Sequence, residues 1–114
     1  MRIDRFEDIV TWQKAKELTV GVYRLFSESK DFGFRDQIQR ASVSVMNNIA
    51  EGFERNTDKE FKYFLFVAKG SCGEVRSMLI LAKELHKADP ATLEELYTLS
   101  EEISRMLSAF IKKL

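Results

Sequence analysis

The side chains in this sequence that could do chemistry are few, and their spacing limits what each can do. His86 is the only histidine and Cys72 the only cysteine. A histidine at the end of a helical pattern reads as a capping or half-buried residue before it reads as a ligand. No histidine stands at a spacing that would make it the base of a Cys72 nucleophile, so the thiol reads as a small core residue. Gly70-Ser71-Cys72-Gly73 superficially resembles a nucleophile elbow, but it lies within a helical pattern rather than at a strand-to-helix turn. A carboxylate-bridged dimetal site needs two Glu-x-x-His motifs, which one histidine cannot supply. Neither a phosphate-cradling glycine loop nor a dinucleotide fingerprint occurs. The expectation is therefore no enzyme, no metal, no cofactor and no small-molecule substrate.

The remaining chemistry is electrostatic. Lys62, Lys69, Arg76 and Lys83 recur every seven residues, with Lys87 continuing the line and no acid interrupting it. Such a stripe on one helix flank could bind phosphates of RNA or DNA without sequence preference. Equally, flank positions of bundle helices are often charged and are solvated or paired, here with Glu94, Glu95, Glu101 or Glu102. The chain as a whole gives no global attraction, since 18 basic residues balance 18 acidic ones.

These residues must be held by helices. The 114 residues suffice for one domain, 1–114, with a single proline, five glycines and no repeat. Apolar residues recur at three and four throughout, which predicts an all-α fold. The first helix is expected from about Phe6 to Ser27, with Asp4 and Glu7 as a loose capping box. The second runs from about Phe34 to Arg55, with Asn56 in the left-handed position after its end. Thr57 and Glu60 form a capping box for the third, which reaches about His86. Asp89-Pro90 starts the fourth, ending at Leu114. Short connections between long helices predict an up-down antiparallel four-helix bundle. One cysteine excludes an internal disulfide, and Met1-Arg2-Ile3-Asp4 opens no apolar leader. No stretch is apolar enough to span a membrane, so a cytoplasmic chain is expected.

Two helices carry more than one bundle requires. On the second, Phe34, Ile38, Ala41, Val43, Val45, Met46, Ile49, Ala50 and Phe53 spread over roughly 200° of the circumference, about twice the stripe a surface helix needs. The remaining arc is polar: Gln37, Arg40, Ser44, Asn47, Asn48, Glu51 and Arg55. Part of this helix is thus expected to face another subunit, with Asn48 and Glu51 hydrogen-bonded in a helix contact and Gly52 against another backbone. On the third, Phe61, Leu65, Ala68, Cys72, Val75, Leu79, Ala82 and His86 form an unbroken heptad seam. Gly70, Gly73 and Ser77 lie opposite, small enough to admit a second backbone.

Several of these strings carry a resemblance. Gln37-Ile38-Gln39-Arg40-Ala41, Val43-Ser44-Val45 and Asn48-Ile49-Ala50-Glu51-Gly52-Phe53 are followed by Lys59-Glu60-Phe61, Phe64-Leu65, Ala68-Lys69-Gly70-Ser71 and Glu74. Together with Phe6-Glu7-Asp8 and Trp12-Gln13-Lys14-Ala15 near the start, this pattern resembles the four-helix bundle family encoded in intervening sequences of bacterial 23S rRNA genes, often described as S23 ribosomal proteins. The resemblance implies an up-down bundle assembling as a ring-like homopentamer, with no established enzymatic activity. It singles out Arg40, Ser44, Asn48, Glu51, Gly52, Gly70, Ser71 and Glu74 as the structural and interface motif. A similar fold is that of the accessory variability protein of diversity-generating retroelements, a basic pentamer associated with nucleic acid. The chain departs from these patterns in its neutral charge, and in Met46-Asn47, where the family commonly has Pro-Ala or Pro-Ser.

Overall fold

The helix boundaries follow local capping chemistry wherever a cap is present. The computed structural model describes residues 2–114; Met1 of the opening tetrad lies outside them. Four helices follow a 3-10 turn, Phe6–Asp8: α1 (Val10–Leu25), α2 (Phe32–Glu54), α3 (Asp58–Glu84) and α4 (Pro90–Lys112). Asp31 caps α2 by accepting from the Phe34 amide, and Thr57 caps α3 by accepting from the Glu60 amide. Asp89 caps α4 through the Thr92 amide, with Pro90 at the first helical position, where its missing N–H is no loss.

Three boundaries differ from expectation. The first helix does not start at Phe6: the 3-10 turn comes first, and the N-cap of α1, Ile9, has no side-chain cap. Tertiary packing sets this start, because Ile9 is buried and the Phe6 ring meets Trp12 edge-on with centroids 5.2 Å apart. Gly33 falls inside the first turn of α2 rather than in a loop. Asn56 is not left-handed: among the described residues the only positive φ outside glycine is that of His86, at 54°. His86 closes α3 instead. Its amide donates to the Lys83 carbonyl (3.2 Å), and the Lys87 amide donates to the Ala82 carbonyl (2.9 Å). This is the paired bond pattern of a Schellman cap, which requires a left-handed residue between helix and exit. The histidine is thus a capping residue through its backbone, and its side chain is exposed.

The helices pack in chain order. α1 touches α2 and α4, α3 touches α2 and α4, and neither diagonal pair is in contact. The bundle measures 42 × 21 × 20 Å, its length set by α3, whose 27 residues span about 40 Å. The heptad seam of α3 is buried from Leu65 through Ala82, in one core with Leu18, Val22, Ile38, Val45, Ile49, Ile103 and Leu107. Each fully buried side chain of this size stabilises the fold by about 1.5–3 kcal/mol. Two buried hydroxyls find carbonyl partners, while the Trp12 indole Nε1 is buried without one among the described residues. Thr19 shares its hydroxyl proton between the Ala15 and Ser42 carbonyls, and Ser100 donates to the Tyr97 carbonyl. α2 continues unbroken through Met46-Asn47, as it can without proline.

Candidate functional site

The polar seam of α2 divides into an inner and an outer part. Ser44 Oγ lies 2.8 Å from Ser71 Oγ on α3, and Asn48 Nδ2 donates to the Ser44 carbonyl at 2.8 Å and to Ser44 Oγ at 3.0 Å. The Ser44–Ser71 pair ties α2 to α3, and Asn48 braces Ser44 from within α2. Gly52, one turn on, is buried because α3 passes directly over it. A Cβ there would stand 2.9 Å from both Phe61 Cδ1 and Phe64 Cβ, and 3.3 Å from the Phe61 carbonyl oxygen. The close approach expected of Gly52 is therefore present, within the chain, whereas both hydrogen bonds of Asn48 go to Ser44 one turn back on its own helix. Asn47 faces solvent.

Glu51 is a correction. It is exposed and pairs with Arg55 one turn along its own helix at 2.7 Å rather than across to α3. Arg40 and Glu74 are also exposed. The surplus apolar arc of α2 is a second correction. Met46 and Phe53 pack against the core, because α2 is enclosed by α1, α3 and the 3-10 turn together. Of its large apolar residues only Phe32, at the first position, stands bare.

The bare apolar face belongs to α3. Tyr63, Phe66, Val67, Ile80 and Leu81 project outward, with Leu85 at the C-cap, and they are between 36% and 62% exposed. These six are the majority of the ten large apolar side chains left bare among the described residues. They flank Gly70 and Gly73, where an added Cβ would meet nothing within 4 Å. The face is thus an apolar band with a flat glycine waist, bordered at Ile80 by α4. Its signal was present in the sequence as a second heptad line, Tyr63, Phe66, Gly70, Gly73, Ser77, Ile80, of which only the small members drew notice.

The basic stripe runs along one edge of this band. Lys69 and Lys83 are exposed and Lys62 and Arg76 half-buried. None of the four forms an ion pair among the described residues. Helix four does not neutralise them: of its acids, Glu102 pairs with Lys14 at 2.8 Å and the others have no ion-pair partner among the described residues. Lys83 borders a shallow groove of about 320 Å³ shared with Glu94 and Tyr97. Lys87 is a correction. It lies past the end of α3, where the Schellman cap turns it aside, and its ammonium bonds Asp31 at 2.7 Å over the Phe34 ring.

Thiol chemistry is suppressed at Cys72. Burial pushes its pKa up to about 11, and Sγ donates to the Ser100 carbonyl at 3.2 Å, whereas a nucleophile needs the thiolate. Among the described residues no three of His, Cys, Asp and Glu stand together as a metal site would require, and no helix is long and apolar enough to cross a membrane. The larger cleft, about 800 Å³ at the end of the bundle, lies between Phe53, Phe61, Phe110 and Lys113 and is lined by none of the residues assigned from sequence to the interface motif or the basic stripe.

Comparison with known proteins places this bundle. A model of the 23S rRNA-intervening sequence protein family matches residues 7–109. The chain belongs to that family. Among solved structures it is similar to a protein of unknown function from the S23 ribosomal protein family of Bacteroides thetaiotaomicron. The two share 25% identity over 90% of this chain and 98% of that one, with a TM-score of 0.84. No curated protein matches the chain. The family match spans the α2–α3 seam, the α3 face and the basic stripe alike.

Proposed function

We propose that this chain is a non-catalytic, cytoplasmic building block whose copies associate through the outward face of α3 into a closed ring. Five is the number of subunits that the resemblance to the family implies. One observation carries the reading: most of the large apolar side chains left in water are concentrated on a single helix face around a glycine waist. Half-bare side chains of this size expose on the order of 500 Å² together, near the upper end of what a monomer leaves exposed. That is also a large part of the roughly 800 Å² each partner contributes to a standard interface. Light scattering at micromolar protein tests it. A ring of five weighs about 66 kDa, from 13.3 kDa per chain. A different oligomer would overturn the number five, and a monodisperse monomer would overturn the reading.

A second reading has its own observation. Lys62, Lys69, Arg76 and Lys83 stand about 10.5 Å apart along α3 without carboxylate partners among the described residues, so no ion pair there cancels the field they project. Copies in a ring would multiply a weak phosphate contact through avidity. Fluorescence anisotropy with structured RNA and duplex DNA at about 50 mM salt tests this reading. Affinity is expected to fall steeply with salt, and each charge removed should reduce the slope by about one. No binding at tens of micromolar assembled protein would rule it out.

A further inference from the structure

The bare apolar side chains form two groups. Besides the α3 face, Val10, Val20 and Tyr23 stand exposed on α1, with Phe32 just beyond the turn that follows it. Among the described residues no comparable side chain is bare on α4, or on α2 after its first position. Because α1 and α3 are diagonal in the bundle, their outward faces point to opposite sides of the molecule.

A two-fold contact of α3 with its own copy would explain only one of these groups. Packed antiparallel in the register that sets its bare apolar residues against one another, Phe66 would face Leu81 and Val67 would face Ile80. The axis would then fall between Gly73 and Glu74, which sets two exposed Glu74 carboxylates side by side in the middle of an apolar contact. Like charges so placed disfavour the pair. The outward side of α1 offers the opposite sign. Lys16 and Arg24 lie one turn either side of Val20, both exposed and neither in an ion pair among the described residues, with Glu17 at the edge. Glu74 and Glu84 on the α3 face are likewise exposed and unpaired among the described residues.

Resting on the self-assembly reading above, we propose that the α3 face of one copy seats on the outward face of α1 of the next, a heterologous contact that covers both apolar groups and joins unlike charges. Each copy then carries a donor face and an acceptor face, and the contact repeats around an axis.

Such a contact is tested by complementation. Val20→Arg damages the α1 face alone and Leu81→Arg the α3 face alone. Both sites are surface positions in helix interiors, and circular dichroism confirms that each variant is folded. Each variant alone should run as a monomer of about 13 kDa, ten-fold above the concentration at which the wild type assembles. Mixed one to one they should form a dimer of about 27 kDa and nothing larger, because one intact donor face and one intact acceptor face remain. Tyr63→Glu, replacing Leu81→Arg, should complement Val20→Arg in the same way. If Val20→Arg assembles like the wild type while Leu81→Arg does not, the contact is two-fold through α3 and the proposal fails. It fails too if both variants are monomeric and do not complement. A monomeric wild type would instead remove the self-assembly reading itself.

Discussion

At residue scale, two positions show how backbone geometry and packing decide what a side chain is for. His86 holds a φ of 54° to complete the cap of α3, a conformation that glycine adopts freely and that carries a penalty of about 1 kcal/mol for a residue with a Cβ. His86→Gly should therefore raise stability by about 0.5–1 kcal/mol in urea denaturation, with the helical signal unchanged. Gly52 is the reverse case. Alanine would gain about 1 kcal/mol of helix propensity there, but its methyl would press on Phe64 Cβ, which the α3 backbone holds in place. Overpacking of this kind costs about 1–3 kcal/mol, so Gly52→Ala should lower the melting temperature despite its better propensity. The sequence pointed to Gly52 because a glycine inside a helix calls for a packing reason. It did not point to His86 as the left-handed residue, since asparagine adopts that conformation more readily and Asn56 stood at another helix end.

At the scale of elements, what could be read in advance was what neighbouring residues decide among themselves. The starts of α3 and α4 follow from Thr57 with Glu60 and from Asp89 with Pro90, all local chemistry. The start of α1 depends on Phe6 reaching Trp12, and the fate of Lys87 depends on two distant loops meeting. Neither can be derived from spacing. That meeting has a pH signature. The Lys87 ammonium, and after it the Phe34 amide, hold the Asp31 carboxyl below its ordinary range. A carboxyl lowered on folding contributes stability that is present above its unfolded pKa of about 4 and lost as pH falls through the folded value. Asp31→Asn keeps a capping oxygen but loses the charge. The stability gap between wild type and this variant, measured by denaturation, should be widest above about pH 5 and close toward pH 2. A gap that stayed constant through the acid range would show that Asp31 acts as a neutral cap only.

At the scale of the whole molecule, the fold and its family were legible because the heptad seam of α3 and the motifs around Asn48 and Gly52 are carried by consecutive residues of single helices. Which face remained uncovered was not legible. The width of the apolar arc on α2 suggested an interface there, but three elements close over it, and the open face lies instead on α3. Apolar width on one helix cannot reveal how many neighbours share it. The most direct measurement is sedimentation velocity of the wild-type chain beside Phe66→Glu, a substitution that places a charge in the bare band without touching the core. The account predicts an oligomer near 66 kDa for the wild type and a folded species of about 13 kDa for the variant. Two equally assembled proteins, or two monomers, would contradict it.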